Sequence, residues 1–130
     1  MIVIDTSAVI AILRNEPEAS RFAEIIGEAD RCFLSAAGFL EASMVRIGRG
    51  PPQLGDELEN LVRELDIELV PFDEPQARAS RDAFVRFGSG RHPAGLNFGD
   101  CISYALARSR GLPLLFKGED FSKTNILAAL

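Results

Sequence analysis

Tryptophan is absent from the 130 residues, histidine and tyrosine occur once each, and there are only two cysteines. Two thiols beside one imidazole cannot assemble a four-ligand structural zinc site within one chain. Cys32 and Cys101 are therefore expected to be reduced, buried packing residues. Long apolar runs are also missing, and none approaches the ~20 residues needed to cross a bilayer. The start, Met1-Ile2-Val3-Ile4-Asp5, lacks the basic segment and extended apolar stretch of a secretory signal, so a cytoplasmic location is expected. Positive charge is short as well: 14 Lys and Arg face 19 Asp and Glu, a net charge of −5. That sign opposes nucleic-acid binding through bulk charge. It does not exclude such binding, because acids clustered around divalent cations would offset the deficit where a phosphate approaches.

The chain is 47% hydrophobic with nine Phe, enough apolar surface for one globular domain over residues 1–130. Met1 to Ile4 form a short, β-branched run suited to a strand buried on both faces. Thr6-Ser7 supply cap hydroxyls for a helix over about 7–14. Pro17 suits the first turn of a second helix, which fades at Gly27. Cys32-Phe33-Leu34 reads as a strand, and Ser35 begins a helix to about Ile47 that Gly48-Arg49-Gly50-Pro51-Pro52 terminates. Leu54, Leu58, Leu61, Val62 and Leu65 carry helical periodicity, with Ile67 to Pro71 as the third strand. A helix over 74–87 leads into Gly88 to Leu96, expected to be a flexible loop and a candidate working part. Asn97 caps a helix from 98 to about 110, closed by Gly111 and Pro113. Leu114-Leu115-Phe116 is the fourth strand, residues 117–123 a polar turn, and 126–130 a last strand or a frayed helix. Strands alternating with helices predict an α/β domain with a mainly parallel central sheet flanked by helices.

The acids decide the functional reading. In an open parallel sheet, ligands bind beyond the carboxyl ends of the strands, near the reversal of strand order. Asp5 ends the first strand and should stand on that rim, although it would also serve as a helix cap. Glu41 has Ala37, Met44 and Val45 as helical neighbours, a stripe that looks core-facing. A buried carboxylate there needs a cation, a proton or a polar cavity. Asp100 falls at the third position of its helix, near the positive end of the dipole. Glu119 and Asp120 follow the fourth strand onto the same rim as Asp5. Four converging carboxylates repel by roughly 4 kcal/mol per close pair at an effective dielectric near 20. Oxygen-only ligands favour Mg²⁺ or Mn²⁺, and metal-assisted phosphodiester hydrolysis is the chemistry that follows.

Ile2-Val3-Ile4-Asp5-Thr6-Ser7-Ala8, Glu41, Asn97-Phe98-Gly99-Asp100-Cys101 and Leu114-Leu115-Phe116-Lys117-Gly118-Glu119-Asp120-Phe121 together resemble a PIN-domain ribonuclease of the VapC toxin type. The resemblance covers essentially the whole chain. It implies a Mg²⁺- or Mn²⁺-dependent endoribonuclease acting on structured RNA such as tRNA or rRNA, held in check by a VapB-like antitoxin. Asp5, Glu41, Asp100 and Asp120 map onto the family's acidic quartet, with Asp5 and Asp100 the best metal ligands. Glu119 competes with Asp120 for the fourth place, and the Asp-Phe context favours Asp120. Thr6 is similar to the hydroxyl residue that often orders the site. The resemblance also implies a homodimer and an antitoxin tail bearing Arg, for which the apolar helices before residue 66 would supply interfaces. Arg46, Arg49, Arg86, Arg91 and His92 are candidate contacts to the RNA backbone.

Three other readings fit less of the pattern. A phosphatase of the haloacid dehalogenase type would use Asp5, Ser35, Lys117 and Asp120 but needs an acid where Ser7 stands. A receiver-like signalling domain would use Asp5 and Lys117 but lacks a phosphoacceptor acid after a middle strand and leaves Glu41 without a role. A PIN fold kept only for binding would not require the intact quartet.

Overall fold

A computed structural model describes residues 1–130. Its core is a parallel sheet of four short strands: β1 (Ile2–Ile4), β2 (Cys32–Ser35), β3 (Ile67–Val70) and β4 (Leu114–Leu115). The six helices are α1 (Thr6–Leu13), α2 (Ala19–Glu28), α3 (Ala36–Ile47), α4 (Leu54–Glu64), α5 (Glu74–Phe87) and α6 (Phe98–Arg110). The expected parallel α/β architecture is therefore present. None of the helices is long and apolar enough to cross a membrane.

Strand order is β3-β2-β1-β4, with every pairing parallel. The chain steps outward from β1 to β3, then returns to place β4 on the other side of β1. The reversal therefore lies between β1 and β4, where their carboxyl ends leave a crevice. Side chains alternate across β1 as the strand period requires. Ile2 and Ile4 join Val9, Phe22, Ile26, Leu34 and Leu58 in one apolar layer. Val3 joins Phe33, Leu96, Tyr104, Leu106 and Leu114 in the other. Burial on both faces explains why β1 and β4 are wholly apolar, whereas the edge strand β3 exposes Glu68 and Leu69.

Local chemistry sets the helix ends. Ser35 caps α3 by accepting from the Ala37 amide, which occupies the hydroxyl a phosphatase reading would need. Asp73 caps α5, and Asn97 and Asp100 form a reciprocal capping box on α6. Gly111 closes α6 in the left-handed conformation at φ 64°, where glycine carries no Cβ penalty.

Several boundaries differ from the sequence reading. Pro17 does not open α2, because Asn15 turns left-handed and a turn closed by the Ala19 amide on the Glu16 carbonyl intervenes. The fourth strand stops at Leu115, and residues 121–123 wind into a single 3-10 turn. The stretch 126–130 contributes a bridge rather than a full strand: the Leu114 amide donates to Leu127 and the Ala129 amide donates back to Leu114. The segment 88–96 is not a loose loop. Gly88 and Leu96 form a parallel bridge, the Arg91 and His92 amides both bond to the Gly88 carbonyl, and Ala94 and Leu96 are buried.

Candidate active site

Asp5 is the best-fixed of the four acids. Its amide donates to the Leu115 carbonyl of β4 at 2.9 Å, and its side chain caps α1, leaving the residue only 3% exposed. Asp5 Oδ2 accepts from the Ser7 amide at 3.0 Å and from the Ser7 hydroxyl at 2.5 Å. The same hydroxyl accepts from the Lys117 amide at 3.0 Å. Ser7 thus joins the ends of β1 and β4 across the crevice. Burial pushes the Asp5 carboxyl up, opposed by hydrogen bonding from Ser103 and from Ser7.

The hydroxyl that orders Asp5 is therefore Ser7 and not Thr6. Thr6 Oγ1 donates instead to the Gly38 carbonyl of α3 at 3.3 Å, tying together the helices that follow Asp5 and that carry Glu41. Asp-Thr-Ser offers two hydroxyls, and the turn places the second one over the aspartate, the usual preference of an Asp side chain for the backbone two residues on. Ser103, buried one helical turn after Asp100, is a further polar residue that sequence reasoning missed. Its spacing from Asp100 is the signal that would have found it.

Glu41 reaches the site by a different route from the one its neighbours suggested. Met44 is 66% exposed and Val45 44%, while the inward face of α3 is carried by Gly38 and Ala42. The stripe shared with Met44 and Val45 is thus an outer face. Glu41 is half-buried because its carboxylate lies against Gly99 at the start of α6: a Cβ at Gly99 would fall 2.7 Å from Glu41 Cδ and 2.5 Å from Oε1.

Asp100 is held by the capping box, its Oδ2 accepting from the Asn97 amide at 3.0 Å. Its carboxyl is pushed up to about 6, first by burial and then by the charges of Asp5, Asp120 and Glu41, against the Asn97 bond. Three carboxylates from three other segments thus act on this one group. Asp120 stands exposed at the head of the 3-10 turn with no capping bond. Glu119 is occupied locally, its carbonyl and carboxylate facing the Ser122 hydroxyl, and exerts no comparable effect on Asp100.

The donor chemistry suits a hard cation: four carboxylates, none in a salt bridge. The nearby cation on the β4 loop, Lys117, is drawn away by Glu16 and Glu18 at 3.2 and 3.1 Å. As they stand, no three of His, Cys, Asp and Glu are grouped tightly enough to hold a metal.

The basic candidates scatter. Arg46 is paired with Glu57 of α4 at 2.6 Å, Arg86 lies over the Phe87 ring, and Arg91 donates to the Val85 carbonyl. His92 Nδ1 accepts from the Ala94 amide at 3.0 Å and its ring meets Phe87 edge-on. Arg49 is exposed.

Comparison with known proteins bears on the family of the chain. The PIN domain profile matches residues 2–127. Ribonuclease VapC28 of Mycobacterium tuberculosis is 47% identical over 129 residues, covering 98% of this chain and 97% of the relative. Ribonuclease VapC30 of the same species is 48% identical over 125 residues, 95% of each chain. Ribonuclease VapC of Mycolicibacterium smegmatis is 45% identical over 126 residues, covering 97% of this chain and 98% of the relative. Among solved structures, Mycobacterium tuberculosis VapC20, described as a sarcin-ricin loop cleaving toxin, superposes with a TM-score of 0.79 at 14% identity, covering 98% and 97%. A toxin-antitoxin complex from Klebsiella pneumoniae gives 0.72 at 16%, covering 100% and 98%. At those identities the structural likeness speaks for the fold alone. PIN-domain nucleases of the VapC kind are generally metal-dependent. The parallel fold, the profile over nearly the whole sequence and relatives close to half identical make this chain a member of the PIN-domain family, and within it a VapC ribonuclease, an endoribonuclease hydrolase.

Proposed function

We propose that the chain is the toxin of a VapBC-type pair, an endoribonuclease that uses Mg²⁺ or Mn²⁺ to hydrolyse phosphodiester bonds in structured RNA such as tRNA or rRNA. The observation that carries the reading is the placement of Asp5 at the carboxyl end of β1, beside the strand-order reversal, with Glu41 lying against Gly99, the residue next to Asp100. Asp5 and Asp100 would hold the cation, joined by Glu41 and Asp120 directly or through water. When bound, the cation neutralises charge at the phosphate and lowers the pKa of the attacking water.

The protein's own contribution is placement. Ser7 fixes the Asp5 carboxylate, Asn97 fixes Asp100, and Gly99 leaves room for Glu41 at the lip of α6. The amino end of α6 adds a favourable field for an approaching phosphate. A VapB-like antitoxin as partner, and a homodimer, are supported by the apolar outer face of α3, where Leu40 and Met44 stand exposed one turn apart. A cytoplasmic setting is part of the same reading.

The test is incubation of purified, antitoxin-free protein with total tRNA and rRNA in Mg²⁺ or Mn²⁺. Discrete cleavage lost with EDTA and in Asp5→Asn is expected. Folded, metal-loaded protein that cuts no RNA would overturn the reading in favour of a binding role, and turnover of a small phosphomonoester would favour a phosphatase.

A further inference from the structure

We propose that Lys117 is a positioning residue of the nuclease, a clamp that sets the loop bearing Asp120 against the rim of the crevice. The proposal rests on the ribonuclease reading and extends it to a residue that touches neither the metal nor the RNA. Lys117 follows β4 by two residues and is held at both of its polar ends. Its amide donates to the Ser7 hydroxyl at 3.0 Å, and its ammonium lies 3.2 Å from Glu16 and 3.1 Å from Glu18. No other cation of the protein has two carboxylate partners. The two glutamates belong to the turn between α1 and α2, which is itself fixed. Asn15 is left-handed at φ 50°, the Glu16 amide donates to the Ala11 carbonyl at 2.9 Å, and the Ala19 amide closes on the Glu16 carbonyl at 2.9 Å.

A clamp matters at this point because Asp120 has no anchor of its own. The chain turns at Gly118, in the left-handed region at φ 104°, and Glu119 and Asp120 follow as exposed residues. The Asp120 side chain makes no capping bond, so its backbone must place it. The far end of this stretch is pinned by Phe121, which is buried and packs on Phe116 with ring centroids 5.0 Å apart. Lys117 supplies the near end. Gly118, Glu119 and Asp120 therefore span two fixed points, and a segment that short has few conformations left to it. The clamping side chains are about one-third exposed, where ion pairs add little to global stability. Their effect should accordingly show in the geometry of the acid and hardly in the melting of the fold. An ammonium engaged by two carboxylates is also not a free contact for an RNA phosphate.

The experiment measures the Mn²⁺ concentration giving half the maximal melting shift, without RNA, and the Mn²⁺ dependence of cleavage of the tRNA or rRNA that wild type cuts. Wild type is compared with Lys117→Met, Lys117→Arg, the pair Glu16→Gln and Glu18→Gln, and all three positions changed together with Lys117→Met. Lys117→Met is expected to raise both half-saturating concentrations by about tenfold, the usual effect of losing a residue that orients a metal ligand. Its metal-free melting temperature should stay within a few degrees of wild type, and its KM for RNA at saturating Mn²⁺ should be unchanged. Lys117→Arg, which keeps a cation for both glutamates, should restore most of the loss. The paired glutamine variant should match Lys117→Met, and the triple variant should be no worse than either, because each breaks the same clamp. Unchanged Mn²⁺ dependence in Lys117→Met, or penalties that multiply in the triple variant, would overturn the clamp while leaving the ribonuclease intact. A raised KM for RNA with unchanged Mn²⁺ dependence would overturn it in favour of a direct phosphate contact. A large fall in the metal-free melting temperature of both Lys117→Met and the paired glutamine variant would overturn it in favour of a role in the fold alone. Wild type that neither shifts with Mn²⁺ nor cleaves RNA would overturn the underlying reading, and the clamp with it.

Discussion

The carboxylate of Glu41 occupies the space that a side chain at Gly99 would fill. Two helices that are 50 residues or more apart in sequence thus meet with no methyl group between them. The obstructing atoms belong to the far end of a flexible side chain, so the fold can yield where the site cannot. Gly99→Ala should leave the melting temperature within a few degrees of wild type while lowering RNA cleavage at least tenfold. Thermal melting and a cleavage assay on the same preparation check both halves. A cleavage rate equal to wild type would show that Glu41 need not sit there.

Asp100 carries a pH signature. Its carboxyl is raised to about 6 in the folded state, above the ordinary value of about 3.9 for the unfolded chain. The folded protein therefore holds the proton more tightly, and this contribution to stability is present below pH 4 and lost as the pH rises through 6. In metal-free protein, Asp100→Asn should be stabilising at pH 7, by about 1 kcal/mol after allowing for solvent screening of a half-exposed group. The gain should shrink to nothing near pH 4. Urea denaturation at both pH values measures it, and equal gains at both would contradict the assignment.

Ser7 serves two strands at once. Ser7→Ala removes the hydroxyl bond to Asp5 and leaves the partly buried Lys117 amide without its partner, a loss of about 1 kcal/mol, the lower end of the cost of an unpaired donor. Ser7→Thr, which keeps the hydroxyl, should recover most of it, whereas Thr6→Ala should affect cleavage much less. Comparable cleavage by Ser7→Ala and wild type would show that the aspartate needs no such anchor.

Millimolar Mn²⁺ or Mg²⁺ should raise the melting temperature of wild type by preferential binding to the folded state. The shift should vanish in Asp5→Asn. Differential scanning fluorimetry reads this without any RNA, and a shift retained in the variant would move the metal elsewhere.

Much of this was readable from residue order. Ile2-Val3-Ile4 is apolar on consecutive positions because β1 is covered on both faces, and Asp5 directly after it lands on the rim for that reason. Asn97 and Asp100 start α6 by their reciprocal capping box and Gly111 ends it in the left-handed conformation, with Pro113 just beyond, all of it local chemistry. What local pattern misjudged depended on distant partners. The face of α3 bearing Met44 and Val45 has core composition but no element packed over it, so periodicity pointed Glu41 inward through the wrong side. Residues 88–96 are rich in glycine and read as loose, but the backbone bridge between Gly88 and Leu96 closes them. The choice between Thr6 and Ser7 turned on which hydroxyl the first turn of α1 swings over Asp5, and both satisfy the same sequence pattern.

Ser7 and the Lys117 amide are separated by 110 positions along the chain. Contacts of that span close the largest loops and come late in folding, after local helices have formed. β1 is complete from its first residues, but its Asp5 has no neighbouring acid on the β4 side until nearly the whole sequence has collapsed around it. A fragment lacking either end of the chain would hold individual acids without the hydrogen bond from Lys117 to Ser7 that joins the two sides of the crevice.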